Sequence, residues 1–279
     1  MNIKLNKKFS GSLPNQSPGT VAVIGIPFDG NSTVMRGPAL APLRIREAFY
    51  TPSSNTSSES CRDISKDPGL IDLGDLVVND YLEDISQPVT ELVNQGLHVL
   101  SLGGDHSITY PVVKGFAQKY KKLNLLHFDA HADLYDEYEG NRFSHACPFA
   151  RIMEEGLVDR LVQVGIRTMN THLQQQVERF NVEVVDMKQW NSSYDPEFDG
   201  PVYLSLDLDV LDPAFAPGLS HPEPGGMSTR DVIGMIQNIQ APLIGADIVE
   251  LNPVLDFNGM TALTAAKLFK EVADKMTAK

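Results

Sequence analysis

The chain has 279 residues, 42% hydrophobic and 21% charged, the proportions of a globular protein with a core and not of a disordered one. Its 23 basic and 36 acidic residues leave a net charge of −13. That balance argues against sequence-independent binding to nucleic acid and against docking on anionic lipid, and it suits a cationic small molecule. No apolar run approaches the roughly 20 residues of a membrane span, and residues 1–19 carry lysines but no apolar stretch of the secretory kind. Cys61 and Cys147 stand in no metal or redox spacing, so the expected setting is a reduced cytoplasm, and Cys147 is a candidate nucleophile with no activating partner in view.

In chain order, VAVIGIP (21–27) reads as a strand and PLRIREAFY (42–50) as a helix. The Ser-rich segment 51–60 reads as a mobile surface loop. PVTELVNQG (88–96) is a helix, HVLSLGG (98–104) a strand, YPVVKGFAQKY (110–120) a helix and LNLLHF (123–128) a strand. FARIMEEG (149–156), LVQVGIR (161–167), HLQQQVERF (172–180) and VEVVDM (182–187) continue the alternation. VYLSLDL (202–208), TRDVIGMIQNIQ (229–240) and LIGADIVEL (243–251) follow, and MTALTAAKLFKEVADKM (260–276) closes the chain. In that last helix Ala262, Leu263, Ala266, Phe269, Val272 and Met276 form one apolar stripe. Near-continuous apolar strands separated by helices predict a doubly wound α/β architecture with a parallel sheet covered on both faces. No repeat or linker divides it, so residues 1–279 read as a single domain.

In such sheets ligands sit beyond the carboxyl ends of the strands, and there the chemistry-bearing residues fall. Asp105 and His106 follow HVLSLGG, Asp129, His131 and Asp133 follow LNLLHF, and Asp207, Asp209 and Asp212 follow VYLSL. Spacing i, i+2, i+4 in extended chain points Asp129, His131 and Asp133 to one side, and likewise Asp207 and Asp209. One Asp-x-Asp is commonly a loop cap, and a lone histidine such as His106 a hydrogen-bonded loop residue. Three such groups on three strand ends are another matter, because clustered buried carboxylates repel and lose hydration unless cations compensate them. Four carboxylates with His106 and His131 suit a pair of divalent ions, and an oxygen-rich set with two nitrogens favours Mn²⁺ over a thiolate-loving structural zinc.

Gly103-Gly104-Asp105-His106, Asp129-Ala130-His131-Ala132-Asp133 and Ser205-Leu206-Asp207-Leu208-Asp209-Val210-Leu211-Asp212-Pro213 resemble the three signatures of the ureohydrolases, the family of arginase, agmatinase and their relatives. The likeness runs from GIPFDGNSTVMRGPALAPLRIREAF (25–49) to FNGMTALTAAKLF (257–269). GNRFSHACPFARIMEEG, LVQVGIR and LDPAFAPGLSHPEPGGMS make it similar to the plant-type branch of arginases. The resemblance implies a three-layer α/β/α arginase-like fold with a central, mostly parallel eight-stranded sheet, assembled as a homotrimer or homohexamer. It implies two Mn²⁺ per chain, one held by His106, Asp129, Asp133 and Asp207, the other by Asp129, His131, Asp207 and Asp209. Two ions lower the pKa of a shared water from about 15.7 toward neutrality.

By the same resemblance Asp133 passes a proton to the leaving amine, His145 shuttles protons to bulk water, and Glu250 pairs with the guanidinium. Asp212 holds its loop without binding metal, and His221 lines the mouth of the pocket where agmatinases carry Thr-Gly-Thr. The implied reaction is hydrolysis of a guanidino group to urea and an amine. L-Arginine is the first substrate, agmatine the alternative, and formiminoglutamate and guanidinobutyrate stand behind them. A carboxylate on the substrate would meet Asn141, Arg142 and Ser144 in the loop before His145. The zinc deacetylases share the architecture but lack the His106 ligand.

Overall fold

Apolar β-branched runs become buried parallel strands only when helices cover both sheet faces, and the chain supplies them in alternation. The computed structural model describes residues 8–9 and 16–278, so most of the 1–19 segment lies outside the described residues. The strands are β1 (Val21–Gly25), β2 (Leu70–Asp75), β3 (His98–Leu102), β4 (Asn124–Phe128), β5 (Arg160–Ile166), β6 (Glu183–Asp186), β7 (Val202–Asp207) and β8 (Leu243–Val249). They form one sheet of order β2-β1-β3-β8-β7-β4-β5-β6, and every pairing is parallel.

The helices are α1 (Ala41–Phe49), α2 (Glu83–Asn94), α3 (Thr109–Ala117), α4 (Pro148–Glu154), α5 (Thr171–Phe180), α6 (Thr229–Asn238) and α7 (Met260–Thr277). Alternate strand residues feed two cores. Val23, Leu100, Leu126, Leu204 and Ile248 pack beneath α1, α6 and α7, and Ile24, Val99, Leu125, Leu161 and Tyr203 beneath α2 to α5. This is the three-layer α/β/α arrangement, and the four central strands β3, β8, β7 and β4 are those whose ends carry the acids and histidines.

Four local readings change. β2 was not expected as a strand, because LIDLGD carries two acids and a glycine; it survives at the sheet edge because Arg46 of α1 pairs with Asp72 at 2.8 Å and Asp75 at 2.5 Å. α2 starts at Glu83 and not at Pro88, since Asp80 Oδ1 accepts from the backbone N–H of Leu82 and Glu83 at 3.0 Å and launches the helix. Leu263 leaves the α7 stripe and is 39% exposed. The 51–60 loop is tied to the body: the Glu59 N–H donates to Glu271 at 2.9 Å, and Arg230 grips the Glu59 carboxylate.

Candidate active site

The motif Gly103-Gly104 exists for backbone approach. A Cβ on Gly104 would sit 1.7 Å from the Phe28 carbonyl oxygen, and that carbonyl accepts from Asp105 N at 2.9 Å. The loop after β1 thereby lies on the loop after β3. Asp105, fully buried, is pushed up to about 6 by burial and then by Glu250. It accepts from Ser107 N and Oγ, Asn31 N and Ser32 Oγ. It therefore clamps Asn31 and Ser32 beside the site and is not directed into it.

His106, next in sequence, points its Nδ1 at three carboxylates at once: Asp129 Oδ2, Asp133 Oδ2 and Asp207 Oδ2, each 3.1 Å away. One N–H cannot serve three acceptors, and this buried Nδ1 makes no well-aligned hydrogen bond. The arrangement is that of donors converging on a common point, and it fits a cation. His106 Nε2 is held at 2.9 Å by the hydroxyl of Ser205, which donates to buried Asp247 at 2.8 Å. A second group lies alongside. His131 Nδ1 stands 2.9 Å from Asp209 Oδ2 and 3.4 Å from Asp129 Oδ1. Asp129 therefore offers one oxygen to each group, while Asp207 Oδ1 is taken by Asp209 N at 2.7 Å.

Electrostatics agree with the geometry. Burial, then Asp209 and Asp129, drives Asp207 well above the usual carboxylate range, and burial with Asp129 raises Asp209 to about 7. Burial opposes charge on His131 and His106 too, yet the surrounding carboxylates raise both. Such a cluster must retain protons unless cations replace them.

Glu250 and Asp133 adopt left-handed backbone, φ 66° and 47°, a conformation that costs non-glycine residues about 1–3 kcal/mol and that clusters at functional sites. Glu250 Oε1 accepts from His106 N at 2.8 Å and from His145 Nδ1 at 3.0 Å. Burial disfavours a charged His145, but Glu250 outweighs it and holds the imidazole at about 9. Thr33 Oγ1 meets His145 Nε2 at 2.9 Å. A cavity opens over these groups, walled by Tyr135, Tyr138, Thr168 and His221 and floored by Asp133, His145 and Glu250. Among its described lining residues there is no lysine or arginine.

The structure thus brings together His106, Asp129, His131, Asp133, His145, Asp207, Asp209 and Glu250. Asn141, Arg142 and Ser144 are not among the cavity's lining residues. The Asn141 amide donates to Asn31 at 3.1 Å, Arg142 pairs with Asp136 and Glu154, and Ser144 Oγ accepts from Ala146 N. Asp212 accepts from the N–H groups of Ala214, Gly225 and Gly226, a loop clamp. Cys147 is buried, and burial with nearby Asp133 pushes its thiol up to about 12, so no thiolate forms at neutral pH. Thr33, His127, Gln163, Ser205 and Asp247 were not expected at the site. His127 and Ser205 left a sequence signal, each two residues before an aspartate, Asp129 and Asp207, along its strand.

Converging carboxylates and imidazoles at the carboxyl ends of central parallel strands define a metal-dependent hydrolytic site. The model of the Arginase family matches residues 19–274. "Arginase 1, mitochondrial" of Arabidopsis thaliana is 42% identical over 99% of this chain and 87% of its own. The solved arginase from Medicago truncatula superposes with a TM-score of 0.85 at 40% identity, covering 92% of this chain and 87% of that one. The agmatine ureohydrolase of Thermoplasma volcanium gives 0.83 at 31% identity, covering 97% and 94%.

The chain belongs to the arginase family. It is a ureohydrolase, an enzyme of a metal-dependent family acting on small guanidino compounds. The cytoplasmic expectation is overturned by the same relatives, since plant proteins 41–42% identical to it carry mitochondrial or chloroplastic in their names.

Proposed function

We propose that the chain is an arginase, converting L-arginine and water to L-ornithine and urea with two Mn²⁺ ions. The observation that carries the metal reading is the pair of converging groups, three carboxylate oxygens about His106 Nδ1 and a second set about His131, spanned by the two oxygens of Asp129. His106, Asp129, Asp133 and Asp207 would hold one ion, and Asp129, His131, Asp207 and Asp209 the other. Bound there, the ions would supply a water of lowered pKa near neutrality.

The chain's own residues do the rest. Glu250, a buried carboxylate beside a cavity without lysine or arginine, takes the guanidinium charge and orients its carbon toward the acid cluster. Asp133 takes a proton from the attacking water and gives it to the leaving nitrogen as the C–N bond breaks. His145 delivers the second proton that makes the product an ammonium; the attacking water's other proton, lost to solvent as the urea carbonyl forms, balances the one His145 regains from bulk water by way of Thr33.

Preference for arginine is supported by the plant arginases' identity over nearly the full chain. The carboxylate of arginine would meet the cavity wall, where the Tyr135 hydroxyl accepts from Asn170 Nδ2 at 2.6 Å and keeps its own hydrogen to donate. Urea release from Mn²⁺-loaded protein, L-arginine against agmatine, tests the reading; arginine should be the faster substrate. A faster reaction with agmatine would make the chain an agmatinase, and urea from neither would direct the search to guanidinobutyrate or formimino compounds.

A homotrimer or homohexamer belongs to this reading by resemblance, and exposed Val254, Phe257 and Met260, at and just before the start of α7, suit a face covered by a second copy. Sedimentation should give a mass of three or six 30.7-kDa chains.

A further inference from the structure

His127 lies on β4 two residues before Asp129, so the site-facing alternation runs His127, Asp129, His131, Asp133. It is fully buried, its ring 3.9 Å from that of Phe149 and 5.0 Å from that of His106, centroid to centroid. Proximity alone would make it a metal ligand, because His106, His127 and Asp129 each offer an atom within 4.8 Å of the others.

The hydrogen bonds give it another task. Gln163, on the neighbouring strand β5, sets its Nε2 2.6 Å from the Ala132 carbonyl oxygen and 3.0 Å from His127 Nδ1. The reverse amide orientation would put Oε1 against that carbonyl, acceptor against acceptor, so the amino group faces both partners. His127 Nδ1 therefore accepts, the ring proton sits on Nε2, and Nε2 donates to Asp129 Oδ2 at 2.8 Å. A ring nitrogen that carries a proton has no lone pair for a cation.

Asp129 has to present one oxygen to each cation group, and rotation about its last bond would lose both. Two donors stop that rotation: His127 Nε2 on Oδ2, and the His131 backbone N–H on Oδ1 at 2.5 Å. Gln163 contributes twice, because the Ala132 carbonyl it binds belongs to the turn that carries His131 and Asp133. We propose that His127 is a positioning residue, a fixed N–H donor set by Gln163, that aims the bridging carboxylate of Asp129 at the two cation sites. The inference rests on the metal reading given above.

The test is Mn²⁺ titration of metal-stripped protein by calorimetry, with the Tm of the metal-free form recorded beside it. His127→Phe keeps a ring against Phe149 and removes the donor; His127→Gln returns an N–H near the former Nε2. His127→Phe should bind Mn²⁺ about 10–100-fold more weakly, and His127→Gln within about threefold of the parent, the range over which such outer partners act. Equal losses in both variants would reduce His127 to packing and overturn the proposal, as would an unchanged affinity in His127→Phe. If His127→Phe does not fold, Gln163→Met decides: it frees the ring tautomer and should weaken Mn²⁺ in the same direction with the metal-free Tm kept, and an unchanged affinity overturns the idea. A parent protein that binds no Mn²⁺ fails the metal reading itself, which separates the two failures.

Discussion

His145 sits between partners of opposite hydrogen-bonding character. Glu250 can only accept, so Nδ1 holds a proton whatever the charge of the ring, while the Thr33 hydroxyl donates to a neutral Nε2 and accepts from a protonated one. Thr33 therefore lets the imidazole change charge without turning. Thr33→Val keeps the shape and removes that switch. The expected cost is one net hydrogen bond, about 1–1.5 kcal/mol, or roughly a tenfold fall in kcat. Mn²⁺ affinity should not change, and a variant with the parent kcat would show that His145 is not held from this side. Thr33 and His145 are 112 residues apart, and no local pattern announces such a pair. Asp129, His131 and Asp133 were legible because they are close in sequence just past a strand end, although β4 stops at Phe128 and the loop with its left-handed Asp133, not the expected extended chain, brings them together. Asn141 and Arg142 stand in the loop before His145, where Arg142 pairs with Asp136 and with Glu154 twelve residues on, partners that no short-range spacing in the sequence points to.

Among elements, the apolar strands and the amphipathic helices were readable because burial on both faces leaves little choice of composition. β2 was not, since its acids are neutralised by Arg46, a residue of a helix that lies earlier in the chain. The Ser-rich loop misled for a similar reason. Its polar composition describes a solvated segment, but Glu59 within it meets Arg230 at 2.7 Å and Lys267 at 3.2 Å, joining the loop to α6 and α7. Arg230 first, with Gln237 and Lys267, holds the Glu59 carboxyl down at about 2. A folded value below the unfolded one, about 4.3, means that the link stabilises above that pH and is lost as pH falls toward 2. Glu59→Gln should therefore lower the urea midpoint slightly at pH 6, in keeping with partly exposed pairs. The gap from the parent should shrink between pH 4 and 3. A gap that stays constant across that interval would mean the carboxylate charge plays no part in holding the loop.

At the scale of the molecule, the fold carries a deliberate electrostatic defect. A chain of net charge −13 gathers Asp129, Asp133, Asp207 and Asp209 at the centre of its own sheet, where mutual repulsion and lost hydration oppose the packing of four neighbouring strands. The strand core beneath them, with Leu126, Phe128, Leu204, Leu206 and Ile248 fully buried, supplies the rigidity that keeps the acids together. On the metal reading proposed above, cations that bind only the folded arrangement would remove the defect and link metal loading to folding. With Mn²⁺ at about 100 times its dissociation constant, each site adds roughly 2.7 kcal/mol to stability. For a chain of this size one such site corresponds to about 5–10 °C in Tm. Treatment with a chelator followed by dialysis should therefore lower the Tm by at least that amount, and added Mn²⁺ should restore it in a concentration-dependent way, while Na⁺ at equal ionic strength should not. Scanning calorimetry reads both. A Tm that ignores chelation would mean that the acids are stabilised by retained protons in the native enzyme, and the cation reading of the site would fall with it.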